Sequence, residues 1–142
     1  MAASAATVFA GGGVTARYTG GTVRSLPEGA DCRIGLTDEV FLEIRCRKRE
    51  YQVRYETVNL LEYGQNVNRR LALAIAISPL FLLSKSRRHF LTVGFTDTDL
   101  RQQALVFQVD KGAIRSVLVA LEARTGLKVQ FQDDEARKAG KG

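Results

Sequence analysis

Few side chains in this sequence are of the types that catalyse, and their spacing converges on no reaction. A hydrolase or transferase needs a nucleophile beside a base, or carboxylates that meet. The one histidine, His89, adjoins Arg87 and Arg88 at the start of a predicted strand, where a surface role suffices. Asp97 and Asp99 fall in a predicted turn, and Asp133, Asp134 and Glu135 in a charged tail, where solvation accounts for them. Zinc takes four ligands, so Cys32, Cys46 and a lone histidine make no metal site. Gly11-Gly12-Gly13 neither follows a strand nor opens a helix, so it is no phosphate loop. An enzyme is not expected, and neither is a cofactor.

The chemistry that the spacing does support is adhesion. Residues 65–96 hold five basic side chains and no acidic one. Residues 1–64 carry eight of each sign, and residues 97–142 carry eight basic and seven acidic, so nearly the whole net charge of +6 sits in one segment. That segment is also apolar: Leu71 to Leu83 is broken only by Ser78 and Pro79, with Arg69 and Arg70 before it and Lys85, Arg87 and Arg88 after it. At 1.5 Å per residue the run reaches only about 20 Å as a helix, against a hydrocarbon core near 30 Å, so it does not span a bilayer.

Two uses of this run compete. In one, Leu71, Leu73, Ile75 and Ile77 alternate with Ala72, Ala74 and Ala76 as a strand ended by Pro79, or the run folds back as a loop, and its leucines join the core. In the other, Leu80, Phe81, Leu82 and Leu83 enter the headgroup boundary of a membrane while Arg69, Arg70, Lys85, Arg87 and Arg88 meet anionic lipid. Each cation near such a surface contributes roughly 1 kcal/mol. Nucleic acid is not expected as a partner: stacking platforms should interleave the basic residues, and only Phe81 and Phe90 are near. No small-molecule substrate is evident.

The elements that position this segment read mostly as strands. Tyr18–Val23 is a first strand weakened by Gly20-Gly21, followed by a turn from Ser25 to Asp31 with Pro27 and Gly29. Cys32, Ile34 and Leu36 share one face, and Val40, Leu42, Ile44 and Cys46 share another across the turn Thr37-Asp38-Glu39. The corner Arg47-Lys48-Arg49-Glu50 reverses the chain into Tyr51, Val53 and Tyr55, and Val58–Tyr63 makes a fifth strand closed by Gly64. After the greasy segment come Leu91, Val93 and Phe95, with Phe90, Thr92 and Gly94 pointing away, and then Leu105, Phe107 and Val109. The period changes at Asp110. Ile114, Val117, Leu118 and Leu121 predict a helix over residues 111–125, with Asp110 as N-cap and Gly126 as its left-handed stop. Leu127, Val129 and Phe131 alternate again, enough for a last short strand.

The two cysteines lie on neighbouring strands. In one register Cys32 faces Cys46; if the turn is only three residues long, Cys32 faces Ile44 instead. Free cysteine is a common buried residue, so two core thiols are the expectation. Residues 1–17 read as a disordered tail. A secretory leader needs a basic start and an apolar run of about 7–15 residues. Neither is present before Arg17, so a cytoplasmic location, peripheral at a membrane, is expected unless a longer start hides a leader.

Seven strands and one closing helix are the order of the pleckstrin-homology-like (PH-like) superfold, and the chain resembles a group of small bacterial PH-like domains. The resemblance is carried by Gly20-Gly21-Thr22-Val23, Leu36-Thr37-Asp38, Tyr55 with Val58, Leu61-Glu62-Tyr63-Gly64, the run Arg88 to Phe95, and Leu121 to Gly126. It covers Tyr18 to Lys138 and implies a mainly β fold: an antiparallel seven-stranded barrel or sandwich over residues 18–132, capped by a C-terminal helix, with residues 133–142 as a charged tail. It also implies a non-enzymatic binding module, and the basic flanks of the apolar run are what point to docking on an anionic membrane surface through residues 69–88. The alternative is a protein- or peptide-interaction domain in which residues 69–88 are core or bind a partner. Phosphoinositide-gripping members cluster cations in the first inter-strand loop. Here that loop offers Arg24 and Arg33 with Glu28 and Asp31 between, so a stereospecific lipid grip is not implied.

Overall fold

Strands that alternate apolar and polar side chains bury one row each, and such rows dominate this chain. The computed structural model describes residues 13–64 and 89–131. In chain order these form β1 (Val14–Gly21), β2 (Asp31–Gly35), β3 (Phe41–Cys46), β4 (Arg49–Arg54), a 3-10 turn (Tyr55–Thr57), β5 (Val58–Gly64), β6 (Phe90–Thr96), β7 (Gln102–Val109), helix α1 (Lys111–Thr125) and β8 (Gln130–Phe131). The strands make one sheet in the order β4-β3-β2-β1-β7-β6-β5-β8. Neighbours run antiparallel except β5 and β8, which run parallel. Among the described residues the fold is mainly β with one helix near the C-terminal end, as expected. The described strands number eight rather than seven, the additional one being the two-residue β8 at the sheet edge.

A short link forces the sheet to bend. β4 stands at one edge and β5 is seventh in the order. Strands about 4.8 Å apart would leave them roughly 29 Å apart in a flat sheet. Only Tyr55–Thr57 joins them, and such a link reaches about 14 Å. The sheet therefore curls, and its inward rows meet in one core: Ala16 and Tyr18, Cys32 and Ile34, Leu42, Ile44 and Cys46, Leu61 and Tyr63, Leu91, Val93 and Phe95, and Leu105, Phe107 and Val109.

The helix completes that core. Ile114, Val117, Leu118 and Leu121 are all buried, while Val119 is 62% exposed, so the 3.6-residue period chose the correct face. Asp110 holds the N-cap position with extended backbone, but its side chain makes no capping bond; its carbonyl accepts from the N–H groups of Ala113 and Ile114 at 3.0 Å. At the other end Gly126 takes φ +76° and donates its N–H to the Glu122 carbonyl at 2.9 Å. That left-handed conformation costs any residue with a Cβ about 1 kcal/mol or more.

Three local expectations are corrected. β1 starts at Val14, ahead of Tyr18, because Ala16 pairs with both Cys32 and Val109 and is buried. The strand ends at Gly21 rather than Val23, after a register shift between Tyr18 and Gly20 beyond which pairing resumes with Val106 and Leu105. On β6 and β7 the face turned away from the core is also out of water. Phe90, Thr92, Ala104 and Val106 are each at most 6% exposed, although alternation assigned Phe90 and Thr92 to solvent. Burial on both faces requires that the second face be covered as well, whereas an antiparallel sheet commonly leaves one face to water.

Candidate functional site

The residues singled out for docking, Arg69, Arg70, Leu80, Phe81, Leu82, Leu83, Lys85, Arg87 and Arg88, lie outside the described residues. What is described is where that segment leaves the sheet and returns to it. β5 and β6 are antiparallel neighbours, with Tyr63 across from Leu91 and Gly64 across from Phe90. The segment thus departs and re-enters at adjacent points of one sheet end.

That end is built around an aromatic pair. Tyr63 is fully buried. Its hydroxyl is hydrogen-bonded to His89 Nδ1, and the two rings stack with centroids 5.8 Å apart and planes 9° apart. Phe131, set beside Tyr63 by the parallel pairing of β8 with β5, meets the tyrosine edge-on at 6.0 Å. The His89 carbonyl accepts from the Val109 N–H at 2.8 Å. His89 is therefore not the plain surface residue that its arginine neighbours suggested; it is half-buried and bonded on two sides.

Burial, and then the nearby Lys111 ammonium, hold the His89 pKa below the usual imidazole value. Where the Tyr63 hydroxyl donates to Nδ1, a neutral ring carries its proton on Nε2. The folded protein binds a second imidazole proton more weakly than the unfolded chain does. The resulting stability is present above the unfolded value near 6.5 and is lost as pH falls through it toward the lowered folded value. Melting temperatures of the wild type should drop relative to those of His89→Gln as pH goes from about 7.5 to 5. Parallel curves would show that His89 titrates alike in both states.

The bond from the Val109 N–H to the His89 carbonyl, two residues ahead of Lys111, places the start of α1 at the same end of the sheet. From there the outward face of the helix forms a shallow groove lined by Lys111, Gly112, Arg115, Ser116, Val119, Ala120 and Ala123. Solvent-facing arcs of helices usually carry charge. Here small and apolar residues fill the arc, and the charges at its margin, Lys111 and Arg115, are basic and exposed.

The remaining titratable groups serve local structure. Asp97 Oδ1 accepts from the N–H groups of Asp99 and Arg101, and its Oδ2 from Gln103 Nε2, which fixes the β6–β7 turn and lowers its pKa. Asp38 Oδ1 accepts from Val40 and Phe41 in the β2–β3 turn, with the same effect. Arg124 donates from the last turn of α1 to the Leu36 and Thr37 carbonyls across that turn. Burial pushes Tyr55 up to about 12, with Arg124 opposing, and its hydroxyl has no hydrogen-bond partner among the described residues. Glu43 is buried on β3, and desolvation followed by repulsion from Asp38 and Glu50 raises its pKa. At the β3–β4 corner Arg47 takes φ +57° in a two-residue turn closed by the Cys46–Arg49 pair. Among the described residues, no group of three or more His, Cys, Asp or Glu could hold a metal ion. Nor is any helix among them long and apolar enough to cross a membrane.

The cysteine expectation is overturned. The register is the one that sets Cys32 across from Cys46, and the two sulfurs are bonded as a disulfide. Alternation along both strands put the side chains on the same face, and the longer of the two possible turns fixed the partner.

No protein-family model matches this chain, and no curated protein matches it.

Proposed function

We propose that this protein is a non-enzymatic, PH-like binding module that attaches reversibly to an anionic membrane surface through residues 69–88. The bent antiparallel sheet and its C-terminal helix support the PH-like part of this reading. One observation carries the docking part. Gly64 and Phe90 are paired neighbours, so the chain spends roughly 25 residues on a connection that hairpins make in 2–5. Connections that long between paired neighbours of a compact domain are uncommon. This one holds the whole local excess of positive charge around an apolar centre. Lys111 and Arg115, at the same end of the sheet, add two more exposed cations.

The non-enzymatic part rests on the roles of the candidate catalytic groups. His89 is engaged with Tyr63, Asp97 is tied into its own turn, and Asp38 is tied likewise. Flotation of the full chain with anionic and with neutral vesicles tests the proposal. Co-flotation with anionic vesicles at low salt and little with neutral ones is expected, whereas equal flotation with both would remove the electrostatic part.

A protein-interaction reading, in which residues 69–88 serve as core or as a partner-binding segment, is favoured by a different observation. Phe90, Ala104 and Val106 are buried on the β6–β7 face that does not belong to the helix-covered core. Replacing residues 66–87 by a short turn separates the two. A fold of unchanged stability fits a docking loop, and a large loss of stability fits a core segment.

A further inference from the structure

Cys32 and Cys46 are the only cysteines in the chain, and they are joined to each other. Joining two thiols releases two electrons, and the chain holds no other disulfide to take them, so the oxidising equivalent comes from outside it. The two residues are 2% and 0% exposed, inside the core beside the Ile34–Ile44 pair and with Ala16 across from Cys32 on β1. A protein oxidant cannot reach sulfurs placed there once β1, β2 and β3 have closed over them. We infer that this chain is a substrate of a disulfide-bearing oxidant before its core closes, and that the domain works in an oxidising compartment.

The chemistry balances with a disulfide-bearing dithiol oxidant as co-reactant. The thiolate of one cysteine attacks the oxidant's disulfide, forming a mixed disulfide and releasing one oxidant thiolate. The thiolate of the other attacks the chain's own sulfur in that mixed bond, closing Cys32–Cys46 and releasing the second oxidant thiolate. Two electrons leave with the oxidant, which ends as a dithiol, and the two protons from the cysteines end on its thiols or in solvent. Cytosolic dithiol pools run this exchange backwards, whereas extracellular, lumenal and periplasmic spaces run it forwards. This stands against the cytoplasmic location expected from the sequence. Combined with the docking proposal, on which this clause alone rests, it assigns attachment to the side of the membrane facing away from the cytosol.

The thiol state of the full chain, taken from the cells that make it, tests the inference. Acid quenching, denaturation and alkylation with a mass-tagged maleimide should add no tag before reduction and two tags after it. Any tag added before reduction, on one cysteine or both, overturns the compartment assignment. The order of events needs a second measurement. Reduced, unfolded chain is returned to folding conditions, and an oxidised dithiol oxidase is added at increasing delays. Oxidation should slow at least about tenfold once folding is complete, and a rate independent of the delay overturns the claim that oxidation comes first. Neither result depends on vesicle binding, so failure of the docking proposal and failure of this one are distinguishable.

Discussion

Leu118→Asp should lose at least about 4 kcal/mol of stability, a large share of the roughly 5–15 kcal/mol that hold an ordinary domain folded. Leu118 is 3% exposed and belongs to the row of α1 that closes the core. Truncating such a leucine alone costs about 2–5 kcal/mol. A carboxylate at that position must in addition be desolvated without a partner. Val119→Asp, one residue on, points into solvent at 62% exposure and should change stability by less than about 1 kcal/mol. Urea midpoints of the two variants check this. Equal midpoints would show that the helix does not seat on the sheet through the face described.

Gly21→Ala should cost about 3 kcal/mol although it adds one methyl group. A Cβ at Gly21 would stand 2.3 Å from the Ala104 carbonyl oxygen and 2.7 Å from the Tyr18 hydroxyl. The tyrosine end could yield; the carbonyl cannot easily, because the seam is clamped beside it. The Thr22 N–H and hydroxyl both donate to that same Ala104 oxygen, at 2.9 and 3.3 Å, and the Ala104 N–H donates to the Thr22 hydroxyl at 2.9 Å. Moving Ala104 to admit a methyl group therefore breaks the β1–β7 pairing at its end. Gly112→Ala provides the contrast, since its Cβ would meet nothing within 4 Å on the outer face of α1. That change should be neutral or stabilising by up to about 1 kcal/mol. A Gly21→Ala protein with the wild-type denaturation midpoint would contradict the close approach of these strands.

The legible parts of this fold are those governed by a local period. Ile114, Val117, Leu118 and Leu121 declare a helix face by spacing alone, and Gly126 declares its end by being able to take a left-handed conformation. Cys32, Ile34, Leu42, Ile44 and Cys46 declare inward strand faces in the same way. The parts that depend on register are not local. Whether Cys46 meets Cys32 turns on the length of one connection, and alternation is blind to it. β8 joins β5 through two residues, too few for any period. Thr92 and Val106 are buried on the face of β6 and β7 turned away from the core, which neither strand's own alternation declares. The Tyr63–His89 pair at the root of the greasy segment brings together residues 26 apart in the chain. Antiparallel pairing of the flanking strands was the available signal: if one ends near Gly64 and the next begins near Phe90, the residues just before and after the segment share one end of the sheet.

The affinity of the full chain for anionic vesicles, measured for the wild type and for Arg87→Glu/Arg88→Glu at about 0.01 M and about 0.15 M salt, tests the docking proposal most directly. Reversal removes two attractions and adds two repulsions, each worth roughly 1 kcal/mol near the surface. At the lower salt, where the Debye length approaches 30 Å, the variant should bind at least about tenfold more weakly than the wild type. At the higher salt, where that length is near 8 Å, the gap should narrow. Wild-type binding that is strong and unaffected by the reversal at both salts, in a variant that remains folded, would contradict the proposal that the basic flanks of residues 69–88 hold this protein to a membrane.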